Sequence, residues 1–260
     1  MAIFDEYIQK VAEYVETMRQ KGHPSKEFSC PEVLTENGLT KDLPIKVGPK
    51  ANPGIILRDD TFAELGNPVA GSRAVFLWTD NPSLITNGRI TLFGPDIPES
   101  SKASLPFAQI FIVGGNNFRE KRHEAFVMGA HVSDQIEGYM VRSSTGNMWS
   151  RVSNDVAAKG FSFEVLGKAM MKIFKLAITD VQAMEIVFVT TSKDDVMRLN
   201  EMSKEIADIN QDIIKEVWKA KGYDLDCNYD CSSCMDQSVC DSIREVIDTH
   251  RKKGRAEASK

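Results

Sequence analysis

The chain has 260 residues, 42% of them hydrophobic and 27% charged, with a formal net charge of −5. That is enough apolar material for one large or two ordinary soluble domains, and the acidic balance without a basic stripe argues against a nucleic-acid partner. No run of eighteen apolar residues suggests a membrane span, and the acidic opening MAIFDEYIQK lacks the apolar stretch of a signal peptide, so a cytoplasmic protein is expected.

In chain order, Ile3, Phe4, Tyr7, Ile8, Val11, Tyr14, Val15 and Met18 recur at helical spacing and predict a helix over 3–21, closed by Gly22. Residues 23–54 are rich in Pro and Gly and read as an irregular connection. From 55 to 115 short apolar runs at 54–57, 74–78, 89–93 and 109–113 alternate with turn residues and predict several strands, with Asn87-Gly88 suited to a type I′ hairpin. A helix is expected over 119–128 and short strands over 136–141 and 148–152. A helix starting near Ser162 should follow, then a buried strand over 185–190, then a long helix from a cap at Ser192 to about Lys221. The expected fold class is α/β (or α+β). It comprises a short mixed-sheet central domain with flanking helices, a helix–strand–helix unit, and a C-terminal cysteine loop plus helix. The expected divisions are 1–54, 55–160 and 161–260.

The chemistry-bearing feature is C-x3-C-x2-C-x5-C: Cys227, Cys231, Cys234 and Cys240, four of the five cysteines within fourteen residues. In a reducing compartment such a cluster points to metal binding or redox chemistry rather than to a disulfide framework. Structural zinc usually takes two chelating pairs with a longer gap between them, whereas a [4Fe–4S] cube accepts four thiolates from one short loop. A [4Fe–4S] cluster, zinc and unligated thiols all remain open, in that order. Cys30, alone beside Pro31, reads as a buried small residue. Gly114-Gly115 lacks the Gly-x-Gly-x-x-Gly of a nucleotide loop, and His123 and His131 read as surface or packing residues.

Several longer stretches resemble acetyl-CoA synthase, the β component of the CO dehydrogenase/acetyl-CoA synthase complex. They are DDTFAELGNP (59–68), AVFLWT (74–79), NGRITLFGPDIPE (87–99), LPFAQIFIVGG (105–115), the 136–170 stretch IEGYMVRSSTGNMWSRVSNDVAAKGFSFEVLGKAM, IVFVTT (186–191) and YDCSSCMDQSVC (229–240). The resemblance runs from about 55 to 245 and implies a metal-bearing subunit of anaerobic C1 or acyl-CoA metabolism. Its family carries a [4Fe–4S] cube bridged to two nickel ions, one of them held by a Cys-Gly-Cys unit. No Cys-Gly-Cys occurs here and the sequence ends twenty residues after Cys240, so a lone [4Fe–4S] cluster without nickel is the expectation. The resemblance also implies that Trp149 and Arg151 contact CoA, the indole stacking on adenine and the guanidinium pairing with phosphate. The alternative is a half-buried strand tryptophan with a solvated neighbour. An electron-transfer or docking subunit is the first expected function. A CO-methylating acyltransferase is the second and a zinc-stapled interaction module the third. The expected partner is a protein subunit of CO dehydrogenase, corrinoid or redox type.

Overall fold

A computed structural model describes residues 3–34, 43–48, 51, 54–101, 103–116, 118, 125, 128, 129, 131–144 and 146–220. The chain divides into two compact units, Met1–Ile214 and Lys215–Lys260, and nearly all described residues belong to the first. The architecture is mixed α/β, as the sequence pattern predicts, with two sheets in the first unit.

The larger sheet has the order β1-β4-β9-β6-β3, built from Ser25–Ser29, Arg89–Phe93, Val181–Val189, Phe107–Gly115 and Ser72–Thr79. Its pairs alternate between antiparallel (β1 with β4, β9 with β6) and parallel (β4 with β9, β6 with β3). Every residue of β6 is buried, as a strand covered on both faces requires, and its run FAQIFIVGG is accordingly near-continuously apolar. The smaller sheet has the order β5-β2-β8-β7, from Ser104–Leu105, Thr61–Leu65, Asn147–Ser153 and Tyr139–Ser144. The tight β7–β8 hairpin docks on the start of β3. Ala74 N–H donates to Gly146 O at 2.8 Å, and Met148 N–H to Ser72 Oγ at 3.2 Å.

Five helices are described: α1 (Asp5–Gln20), α2 (Asn154–Ala158), α3 (Phe163–Ala177), α4 (Lys193–Met197) and α5 (Asn200–Ala220). Of the apolar stripe expected for α1, Phe4, Ile8, Val11, Tyr14, Val15 and Met18 are buried, Tyr7 is half-buried and Ile3 is exposed; Phe4 meets Trp78 edge-on at 5.4 Å. Helix α3 begins where Ser162 caps it, accepting from Val165 N–H at 3.3 Å. The carboxylate of Asp96 accepts from both Ile97 N–H (2.7 Å) and Phe163 N–H (2.9 Å), so the Gly-Pro-Asp-Ile turn fixes the entry of this helix. Gly167 lies against Ile90; a Cβ there would come within 2.8 Å of Ile90 Cδ1. Phe174 of α3 packs edge-on to Phe111 at 5.3 Å, and Phe107, Phe163 and Phe188 form a second aromatic group.

Local expectations diverge at four places. The stretch 54–57 is not a strand; its neighbour 61–65 is β2. Ser25–Ser29 is an exposed edge strand inside the stretch read as irregular. Asn87-Gly88 does form a turn, with Arg89 N–H donating to Thr86 O at 3.2 Å, but it joins no hairpin, because β4 lies between β1 and β9. Gly88 is required there for another reason. At φ 75° it admits the Cys30 backbone, which an added Cβ would meet at 2.4 Å. The long helix expected after Ser192 is broken into α4 and α5 at Arg198–Leu199, where the Asn200 amide is turned to accept from Arg73 Nη2. The helix expected over 119–128 lies mostly outside the described residues. No described helix is long and apolar enough to cross a membrane.

Candidate functional site

Cys227, Cys231, Cys234 and Cys240 lie outside the described residues. Among the described residues no group of three or more His, Cys, Asp or Glu is arranged to hold a metal ion. Cys30 is buried, with its Sγ 3.8 Å from Glu32 Oε1. Gly114 and Gly115 sit inside β6 against Pro82, Ile85 and Asp180, leaving no phosphate-sized loop. His131 is exposed and pairs with Asp134 at 2.9 Å.

The other sequence candidates fall on one face of the smaller sheet. Along β8, Met148, Ser150 and Val152 are buried, while Trp149, Arg151 and Ser153 alternate with them and are half-buried. Trp149 and Arg151 therefore share the outer face. The Arg151 guanidinium lies over the Trp149 ring, 4.7 Å from its centroid, in cation–π contact. Its Nε donates to Glu64 Oε1 at 3.3 Å, and its Nη1 to the Ile56 carbonyl at 3.0 Å. Register places Glu64 directly opposite Arg151 on the neighbouring strand.

Glu64 is itself crowded by donors. Asn67 Nδ2 reaches its Oε2 at 2.9 Å and Ser104 Oγ at 3.3 Å, and the buried Trp149 indole N–H faces the same carboxylate without a well-aligned partner. Burial pushes the Glu64 carboxyl up, but the hydrogen bonds from Asn67 and Arg151, with the Arg151 charge and the nearby Trp149 N–H dipole, outweigh it and hold it below the usual range. Arg151 is thus not a solvated neighbour of Trp149. It is held in an internal ion pair with its side chain only 19% exposed.

Register also reveals a residue absent from the sequence candidates. Arg142 of β7 is the direct cross-strand partner of Trp149. It is exposed, its Nη1 contacts the Val141 carbonyl at 3.3 Å, and no carboxylate among the described residues pairs with it. Beside β7 opens a cleft of about 260 Å³ lined by Gly54, Asp134, Met140, Val141, Arg142 and Ser143. The extended segment 54–57 runs alongside it. Ile56 is buried and donates from its N–H to Met140 Sδ at 3.4 Å, while Ile55 and Leu57 point outward, 77% and 62% exposed. The face therefore combines one indole, two guanidiniums, one matched carboxylate and a short apolar rim. Such a face can hold a flat ring and an anionic group at once.

Residues 43–196 match the family model described as the CO dehydrogenase/acetyl-CoA synthase complex beta subunit. The chain belongs to that family. The matched stretch contains Glu64, Arg142, Trp149 and Arg151 and ends before the four clustered thiols. Subunit beta 2 of the acetyl-CoA decarbonylase/synthase complex of Methanosarcina mazei is 27% identical over 199 residues, which cover 76% of this chain and 41% of that protein. Subunit beta 1 of the same complex from Methanosarcina thermophila is 27% identical over 196 residues, 75% of this chain and 41% of the relative. The subunit beta of Methanopyrus kandleri is 28% identical over 167 residues, 64% of this chain and 36% of the relative. The chain therefore spans about two-fifths of the length of the curated relatives it matches.

Proposed function

We propose that this chain works as an acetyl-CoA-synthase-type component of a CO dehydrogenase/acetyl-CoA synthase complex, contributing a CoA-binding face to acyl transfer. The observation that carries this reading is the family match over 43–196, which spans most of both sheets and includes the Trp149 face. The match favours the acyl-transfer reading over the electron-transfer one ranked first on sequence alone. In this reading Trp149 offers its ring to the adenine of CoA, and the basic groups around it draw the phosphates. The protein partner is a CO dehydrogenase-, corrinoid- or redox-type subunit of the same complex.

The donor set of Cys227, Cys231, Cys234 and Cys240, four thiols in fourteen residues, fits a [4Fe–4S] cluster by its chemistry. Such a cluster supplies one-electron chemistry when bound. A second reading keeps the cluster and drops the acyl transfer, leaving an accessory iron–sulfur subunit that docks or passes electrons. The donor set itself supports it, since four thiolates saturate a cube and leave no open position for CO and a methyl group.

Metal and acid-labile sulfide analysis of anaerobically purified chain, alone and with its complex, separates these readings when paired with a CoA-dependent acetyl exchange assay. Nickel alongside iron, together with exchange activity, supports the first reading. About four irons and four sulfides per chain without nickel or exchange removes the first and leaves the second. One zinc and no iron removes both and leaves a structural module.

A further inference from the structure

Two half-buried arginines of this fold are matched by carboxylates: Arg89 by Glu185 at 2.7 Å and Arg151 by Glu64 at 3.3 Å. Arg73, at the start of β3, is more deeply placed, 9% exposed, and is not matched. Among the described residues its guanidinium meets neutral acceptors alone. Nη1 donates to the Ser72 carbonyl at 2.6 Å and to Asn147 Oδ1, and Nη2 donates to Asn200 Oδ1. Nε is shielded from water and has no hydrogen-bond partner. Burial lowers the pKa of the group, and no neighbouring charge opposes that shift. A buried cation held only by neutral dipoles carries a desolvation penalty that an anion would offset.

A second positive feature converges on the same point. Asn200 opens α5, a helix of 21 residues, whose first internal hydrogen bond runs from Ser203 N–H to the Leu199 carbonyl at 2.8 Å. The amides of Asn200, Glu201 and Met202 precede that bond, at the positive end of the helix dipole. The β7–β8 tip closes against this turn: a Cβ added to Gly146 would lie 3.3 Å from Ser203 Oγ. Glu201, the carboxylate of the turn, is exposed and makes no bond to Arg73.

We propose that Arg73 and the first turn of α5 form a binding site for a small free oxyanion of the phosphate or sulfate type. Nε and Nη2 are the two parallel donors of the guanidinium fork, which takes two oxygens of one anion. Nη2 is at present bonded to a neutral carboxamide, and a charged oxygen in its place makes a bond roughly twice as strong. The side chains that cap the fork are ones that solvent reaches, since Asn147 is exposed and Asn200 half-buried. The helix amides add donors for the remaining oxygens. The enclosure of Nε suits a free ion better than a bulky phosphate ester. The site uses no residue of the Trp149 face and stands apart from the CoA reading.

The test is calorimetric titration of the full chain, purified anaerobically, with inorganic phosphate at constant ionic strength, paired with thermal unfolding in phosphate and in chloride. Wild type should bind phosphate saturably and melt higher as the site fills, whereas a general salt effect rises without saturation and acts alike on every variant. Arg73→Gln should abolish the saturable response. Asn200→Asp keeps the test decisive if that variant does not fold. It sets a carboxylate against Nη2, so it should weaken phosphate at least about tenfold while melting no lower than wild type in chloride. Phosphate binding by Asn200→Asp at wild-type strength overturns the assignment, and so does a wild type without a saturable response. Tighter binding of phenyl phosphate than of inorganic phosphate overturns the free ion as the ligand.

Discussion

The larger sheet and the outer face of the smaller one are built on the same kind of ladder, yet they use side chains differently. In β6 every residue is buried and in β9 all but one, so what matters at most positions is volume. The charge in β9, Glu185, is answered on the spot by the Arg89 guanidinium at 2.7 Å and by Thr86 N–H at 3.0 Å. In β8 only alternate residues are buried, and the others form a half-wet surface where charge pairing decides geometry. The lesson is that the first region encodes the fold and tolerates little, while the second holds groups whose partners can be exchanged for a ligand.

The largest expected effect tests the first half of that contrast. Phe111, 1% exposed, touches Phe76 and Phe174 at 5.8 and 5.3 Å. Phe111→Ala should cost about 3–5 kcal/mol by lost burial and the cavity left behind. That is a large share of a typical domain's roughly 5–15 kcal/mol. Urea unfolding followed by circular dichroism measures it. If Trp149→Phe on the outer face destabilises the protein as much, the contrast between the regions collapses.

The next effect concerns a charge held inside, just beyond β9. Asp195 has a side chain 3% exposed. Burial raises its carboxyl, but hydrogen bonds from Lys21, Ser192 and Thr191 outweigh burial and push it down from 3.8 to about 2. His23 Nε2 also lies 3.2 Å away. A folded-state value below the unfolded one stabilises the protein above pH 4, and this contribution fades as pH falls through about 2. It amounts to about 2 kcal/mol. Acid titration of the unfolding free energy should therefore show a loss between about pH 4 and 2 that is missing in Asp195→Asn. An identical acid limb in both proteins would show that this carboxylate is not held as described.

Smaller again is the effect of the outer-face carboxylate. Glu64→Gln keeps the shape but removes the charge that matches Arg151. It should cost about 1–2 kcal/mol, because a half-buried guanidinium loses its ion pair yet keeps the Ile56 carbonyl. Thermal unfolding measures it, and a loss as large as that of Phe111→Ala would place this face in the core after all.

Much of the first region was legible from sequence because its signals are local. The 3.6-residue stripe of α1, the Ser162 cap of α3 and the apolar β9 run each specify their own element. What was missed depends on distant pairing. Ser25–Ser29 is a strand only because β4, more than sixty residues later, pairs with it. Asn87-Gly88 has hairpin chemistry, but the strands it separates belong to different neighbours. On the outer face Trp149 and Arg151 were found through resemblance, whereas Glu64 was hidden because only register brings it opposite Arg151. Arg142 did leave a signal. Strands ending at Ser144 and restarting at Asn147 around Gly146 form a hairpin, and counting outward from that turn sets 142 against 149. Reading the strands as 136–141 and 148–152 opened the loop too far for the count to be made.

The smallest expected effect sharpens the comparison most. Arg142 is exposed, and among the described residues it pairs with no carboxylate and makes one hydrogen bond, a long 3.3 Å approach to the Val141 carbonyl. Arg142→Gln should therefore change unfolding free energy by no more than about 0.5 kcal/mol. Arg151→Gln, nine residues along the chain and on the same face, should cost about 1–3 kcal/mol because it leaves Glu64 unmatched. Two arginines beside one tryptophan would then separate into one that the fold uses and one that it does not. Denaturant melts of the two variants side by side measure the difference. Equal losses would mean that Arg142 has a structural partner on this face; a near-zero loss for Arg142 alone would show that the fold draws on one of the two charges and not on the other.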